Sequence, residues 1–226
     1  MRVGVIKYKV DAKHNPMRYL RVLDDSLRVA VQTPFDLVVG PDYALSNKMD
    51  MNKPAHVALV RQKLKYIGGT FPGTTIVAGT MPFQISVNQM AHAAFVYQGG
   101  RELQFRKQTD HGESDIASRH GLEYFRERGV PAIFNVRGKK AWLNICGDRG
   151  RKPEGVCNDA DLEITIAHDV NAGFHIGSNT PRNNRFMILS DSYHPIVAVQ
   201  KFDSESGPQE VSPVSSTEHM EVFELK

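Results

Sequence analysis

Three side chains of complementary chemistry stand just past apolar runs that read as buried strands. Asp42 follows Leu37-Val38-Val39, Lys107 follows residues 102–105, and Cys146 follows residues 141–145. Brought together, a carboxylate, an ammonium and a thiol make a nucleophilic site. The thiol attacks as thiolate, the carboxylate takes its proton, and the ammonium holds the negative charge that develops on the substrate. Strand ends are rigid platforms, and α/β folds place ligands in the crevices outside them. Other chemistries have less support. The nine histidines show no HExxH or paired zinc spacing, and neither a P-loop nor a dinucleotide-binding glycine fingerprint occurs. No metal or other cofactor is therefore implied. Cys146 with His168 and Asp169 would compose a protease-like triad, but no papain-like or caspase-like signature surrounds the cysteine.

The elements that must position these residues alternate between strand and helix. Val3 and Val5 alternate apolar with polar as a half-buried strand does. Pro16 opens a segment with Leu20, Leu23, Leu27, Ala30 and Val31 on one helical face. The run 37–39 ends at Gly40-Pro41 like a buried strand of a layered α/β protein. A second helix is expected from Pro54 to about Ile67, with Val57, Val60, Leu64 and Ile67 on one side, then a buried strand over 75–79. Glycine-rich connections at Gln98-Gly99-Gly100-Arg101 and Arg137-Gly138-Lys139 predict hairpins joining 93–97 to 102–105 and 132–136 to 140–145. Further strands are expected at 162–167, 196–201 and 221–225, a helix within 182–189, and an exposed excursion over 204–217. The polar stretch 108–120 is too long for a simple connection, and loops of that length inside compact domains are often functional.

Composition sets the outer bounds. The chain has 226 residues, 41% of them hydrophobic and 23% charged, the profile of an ordinary globular protein. One α/β domain spanning 1–226 is the expectation, with no internal repeat and no linker. No apolar run approaches the roughly 20 residues that span a bilayer, and MRVGVIKYKV lacks the apolar core of a signal peptide. The formal charge is only +3, and the basic residues are dispersed, so neither nucleic acid nor a membrane is expected as partner. Cys146 and Cys157 are too few for a disulfide framework and read as free thiols of a cytoplasmic protein.

The words around the three candidate residues carry more than their spacing. Asp36-Leu37-Val38-Val39-Gly40-Pro41-Asp42-Tyr43-Ala44-Leu45 resembles the "DLVVFPEYAL" segment of the nitrilase, or carbon–nitrogen hydrolase, superfamily. The stretch from Asn88 to Phe105-Arg106-Lys107 resembles that family's hairpin and following lysine. Ala141-Trp142-Leu143-Asn144-Ile145-Cys146-Gly147-Asp148, with Pro153-Glu154 beyond, resembles its nucleophile segment. Order and separation agree from residue 1 to about residue 170. The resemblance implies a four-layer α-β-β-α sandwich and a Glu-Lys-Cys site. Cys146 would be the nucleophile and Lys107 the oxyanion stabiliser, with the Gly147 N–H as a second donor. Asp42 falls where the family places its glutamate base. Glu113 is the candidate for a second, positioning glutamate, with Glu123 behind it. The expected activity is hydrolysis of an amide, with nitrile and carbamoyl substrates chemically adjacent, and homodimers are common in such proteins.

Departures from the pattern are equally specific. Asp42 is one methylene shorter than the family's glutamate, which draws it back from the ~2.6–3.2 Å reach of a general base. The loop after Cys146 has one extra residue before Pro153-Glu154, and the C-terminal third is short. Arg149, Arg151 and Lys152 beside the nucleophile read either as recognition of an anionic substrate, which would lower the thiol pKa, or as a solvated loop. These departures support an alternative, a nitrilase-fold protein that binds ligands or partners without hydrolysis.

Overall fold

The computed structural model describes residues 1–29, 33–127, 129–146, 148, 160–169, 185–203 and 205–226. Its first sheet is built from β1 (Arg2–Ile6), β2 (Leu37–Val39), β3 (Thr75–Gln84), β4 (Gln89–Gln98) and β5 (Arg101–Arg106). In the order β13-β14-β1-β2-β3-β4-β5, it is completed by β13 (Ser215–Ser216) and β14 (Met220–Glu224), while β6 (Glu123–Tyr124) pairs with β4. The second sheet runs β12-β11-β10-β9-β8-β7, from β7 (Ile133–Val136), β8 (Lys139–Ile145), β9 (Leu162–Ala167), β10 (Arg185–Asp191), β11 (Val197–Asp203) and β12 (Gly207–Glu210).

Two hydrophobic layers hold these sheets. Val3, Val5, Leu37, Val39 and Val77 of the first sheet meet Leu143, Ile145, Ile164, Ile166 and Ile188 of the second in one core. The other face of the first sheet packs against α1 (Pro16–Val29) and α2 (Pro54–Thr70) through Leu20, Leu23, Leu27, Val60, Leu64 and Ile67. The third helix, α3 (Glu113–Arg119), lies inside the polar stretch 108–120 and also joins this core, through Ile116 and Ala117. The described residues thus form helix, sheet and sheet. Residues 149–159 and 170–184, which join the parallel strands β8, β9 and β10, are outside the described set.

One element differs from expectation. The segment expected to carry a helix within 182–189 forms β10 from Arg185 onward, parallel to β9 and antiparallel to β11. Its two faces are both buried: Phe186 and Ile188 enter the intersheet core, while Arg185 turns the other way and pairs with Glu163 of β9 at 2.6 Å. A strand buried on both sides loses the polar alternation that would reveal it. The excursion over 204–217 likewise contributes short exposed edge strands, β12 and β13. No described helix is long and apolar enough to cross a membrane.

Strand direction decides where the candidate chemistry gathers. Because β2 and β3 are parallel and β4 is antiparallel to both β3 and β5, the C-terminal ends of β2 and β5 lie at the same edge of the sheet. A β-bulge between Val77 and Thr80 shapes that edge. Gly79 sits in it at φ +102°, and a Cβ there would lie 2.5 Å from the carbonyl oxygen of Pro41. Gly40 is as constrained, since a Cβ would lie 1.9 Å from the hydroxyl of Tyr19, which donates to the Ala78 carbonyl at 2.9 Å. Helix α1 is thereby tied to β3, with Gly40 packed closely against the Tyr19 hydroxyl.

Gly79→Ala therefore combines a forbidden φ with a backbone clash and destabilises more than Gly100→Ala, whose Cβ would meet nothing within 4 Å at φ +76°. The hairpin variant should lose about 1 kcal/mol, and Gly79→Ala clearly more, read from urea unfolding midpoints. Equal losses would contradict this account of the bulge.

Candidate active site

Asp42, Lys107 and Glu113 are each exposed by 1% or less, and Cys146 is half-buried among them. Each is delivered by a different segment. Asp42 leaves β2 through Gly40-Pro41. Lys107 extends β5 by one residue, its backbone N–H donating to the His92 carbonyl at 2.8 Å. Glu113 opens α3, after a turn in which Asp110 Oδ1 accepts the N–H groups of Gly112 and Ser114. Cys146 follows β8 with φ +49°, a left-handed conformation uncommon for a residue with a side chain.

The ionic contacts join these residues into one cluster. Lys107 Nζ donates to Glu113 Oε1 at 2.5 Å, and the Tyr43 hydroxyl donates to the same oxygen at 3.1 Å. Glu113 Oε2 accepts the His111 N–H at 2.7 Å. Asp42 Oδ1 accepts the Thr80 hydroxyl and, at 3.0 Å, the Tyr43 N–H. Asp42 Oδ2 is buried and has no hydrogen-bond partner among the described residues. The segments after Lys107 and Cys146 are also tied together, since the Asp148 carboxylate accepts the N–H groups of Gln108 and Thr109 and the Thr109 hydroxyl.

Between the two carboxylates lies His92 of β4, fully buried, which sequence reasoning missed. Its Nδ1 is 3.1 Å from Glu113 Oε1, and its Nε2 is 3.3 Å from Asp42 Oδ1 and 2.7 Å from Thr80 Oγ1. The available signal was one titratable residue in the apolar run Met90-Ala91-His92-Ala93-Ala94-Phe95-Val96. Thr80 was hidden as well, because its direction depends on the bulge.

Other sequence candidates separate from this cluster. Glu123 is exposed in β6. His168 offers Cys146 its backbone carbonyl, 4.0 Å from Sγ, while its ring Nδ1 is 2.7 Å from the Ser192 hydroxyl. Asp169 points instead to His194 at 3.8 Å, so the protease-like triad is not assembled. Gly147, Arg149, Arg151, Lys152 and Cys157 lie outside the described residues.

The charges set one another's protonation. Burial alone would raise Asp42, but the neighbouring His92 and Lys107 hold its carboxyl below the usual range. Glu113 is held low in the same way, against burial, by His92 and Lys107. Burial would lower Lys107, but Glu113 and Asp42 raise it, so it stays an ammonium. The Cys146 thiol is raised. Burial, then the charge of Asp42, pushes it up to about 11, against a smaller lowering by Lys107. The resting group is a thiol next to an ionised carboxylate, an arrangement suited to proton transfer during attack.

No family model matches this chain, and no curated protein matches it. Solved structures do. A form of the amidase from Nesterenkonia sp. AN1 with acrylamide added to its active-site cysteine aligns over 100% of this chain and 93% of its own, at 17% identity and a TM-score of 0.72. A cysteine-to-serine variant of that enzyme, described as of the nitrilase superfamily, gives 16% and 0.72 over 100% and 92%. A cysteine-to-alanine variant in complex with butyramide gives 15% and 0.69 over 99% and 90%. The fold of this chain, with two sheets and three described helices, is therefore the fold of nitrilase-superfamily amidases.

Because the Asp42 charge helps hold Cys146 protonated, Asp42→Asn should lower the thiol pKa. Alkylation of Cys146 by iodoacetamide near pH 8, followed by peptide mass mapping, should then be about threefold to tenfold faster than in the wild type. Unchanged or slower alkylation would contradict this coupling.

Proposed function

We propose that this chain is a cofactor-independent thiol hydrolase of the nitrilase superfamily that cleaves a non-peptide C–N bond, an amide most directly, through an acyl-cysteine intermediate. The observation that carries the reading is the buried gathering of Asp42, Lys107 and Glu113 around Cys146 in an amidase fold. Small amides are the substrate class, with nitriles and carbamoyl compounds adjacent. Arg149 would receive an anionic substrate group. A cytoplasmic homodimer is the proposed setting.

In the first half-reaction Sγ of Cys146 attacks the carbonyl carbon while Asp42 Oδ2 takes the thiol proton. The Lys107 ammonium stabilises the oxyanion as it forms. Collapse breaks the C–N bond, and Asp42 returns the proton to the departing amine, leaving a thioester. Water then attacks the thioester carbon, Asp42 takes a water proton, the C–S bond breaks, and the proton returns to Cys146. Glu113 keeps Lys107 charged and fixed throughout and is a positioning residue.

The short base has a structural rationale. Thr80 and the Tyr43 N–H fix Oδ1 of Asp42, which leaves Oδ2 for the thiol. A non-hydrolytic, ligand-binding role is the competing reading, favoured by the thiol pushed up to about 11.

Ammonia release decides between them. Wild-type protein should release ammonia within a panel that begins with acrylamide and butyramide, the amides bound by the neighbouring enzyme. Cys146→Ala should reduce the rate by at least ~10³-fold. Identical rates for the two proteins across amides and nitriles would end the hydrolase reading. Asp42→Glu, which restores the family's residue, should lose about tenfold, because an added methylene overpacks a fully buried site. A gain would mean that Asp42 is a degraded base.

A further inference from the structure

His92 belongs to no part of the mechanism above, yet it joins the base to the positioning glutamate. The protons its contacts require can be counted. Ionised Asp42 and Glu113 can only accept hydrogen bonds. The single proton of the Thr80 hydroxyl goes to Asp42 Oδ1, and the same hydroxyl oxygen accepts the Tyr43 N–H at 2.8 Å. At 2.7 Å, His92 Nε2 must therefore donate to Thr80, and at 3.1 Å Nδ1 must donate to Glu113. A neutral imidazole has one N–H, and this arrangement uses two.

We propose that His92 is a buried imidazolium that acts as a positioning residue for Asp42, holding Oδ1 through Thr80 so that Oδ2 remains the base. With His92 charged, the cations Lys107 and His92 match the anions Asp42 and Glu113, and Cys146 is a neutral thiol. With His92 neutral, one buried carboxylate would lack a counter-charge, an arrangement proteins avoid.

The titratable groups facing His92 are Asp42 and Tyr43 from the turn after β2, Lys107 from the end of β5, and Glu113 from α3. Tyr43 lies against the imidazole with ring centroids 4.5 Å apart, and its own proton is retained because burial and Glu113 raise its pKa. Burial and the Lys107 charge work against the imidazolium, while Asp42 and Glu113 favour it, and the balance is a raised His92 pKa.

The first test needs no substrate. In full-length protein labelled with ¹⁵N-histidine, both ring nitrogens of His92 should carry protons at pH 7.5, where an ordinary histidine of pKa about 6.5 is mostly neutral. Assignment is by loss of the signal in His92→Gln or, where that variant does not fold, by contacts between the ring and Thr80 in the wild type. One bare nitrogen at pH 7.5 would overturn the proposal.

The second test rests on the hydrolase reading. His92→Gln should lower kcat by about tenfold to a hundredfold. It should also move the acid limb of the kcat profile up by about 1–3 pH units, because Asp42 loses a cationic neighbour. A fall in kcat with the limb unmoved would make His92 merely structural and overturn the positioning role. Absence of all turnover with both nitrogens protonated would refute the hydrolase reading and leave the imidazolium standing.

Discussion

Burial of four ionisable side chains at one sandwich edge is the constraint on which this structure depends. Asp42, His92, Lys107 and Glu113 each retain 1% or less of their surface. Isolated, each ion would lose several kcal/mol of hydration, and the loss is offset only by close, well-directed partners. Lys107 at 2.5 Å from Glu113 and His92 at 3.1 Å from the same oxygen supply that directness. Removing one member leaves a charge stranded, so the cluster must be assembled as a whole. The bulge at Gly79, the tight Gly40-Pro41 exit and the backbone bond from Lys107 to His92 bring the segments within this range.

The same constraint divides the work between two carboxylates. Glu113 has partners at both oxygens: Lys107, Tyr43 and His92 at Oε1 and the His111 N–H at Oε2. It is saturated, which suits a group that holds others. Asp42 is saturated at Oδ1 alone, its buried Oδ2 is an open acceptor, and the Asp42 charge raises the Cys146 thiol. Lys107 cannot easily lose its proton while both carboxylates face it, so it remains a buried positive charge. Side chains that resemble one another on paper are thus separated by their partners.

Much of this was legible in the sequence where local pattern and tertiary role coincide. Leu37-Val38-Val39 before Gly40-Pro41 announces a buried strand and its abrupt end, and the Gly99-Gly100 hairpin fixes where Lys107 emerges. The resemblance around Asp42, Lys107 and Cys146 pointed to the sandwich fold that the solved amidases share at 15% to 17% identity. Legibility failed where the determinant is not local. His92 looks like any polar residue in a strand, and only the arrival of Asp42 and Glu113 from distant segments gives it a purpose. Thr80 reaches Asp42 because a bulge turns it, and a bulge has no signature in the alternation of Thr75 to Gln84. β10 escaped because both its faces are buried. The thiol pKa was not legible either, because burial and Asp42, a neighbour in space, push it up.

The central claim is that Cys146 carries the acyl group. Acid-quenched mixing of the wild-type protein with butyramide, followed by intact-mass and peptide analysis, tests it most directly. The account predicts a transient butyryl adduct on the peptide containing Cys146, absent from Cys146→Ala. Butyramide consumed with Cys146 unmodified at every quench time, or an adduct on any other residue, would contradict it.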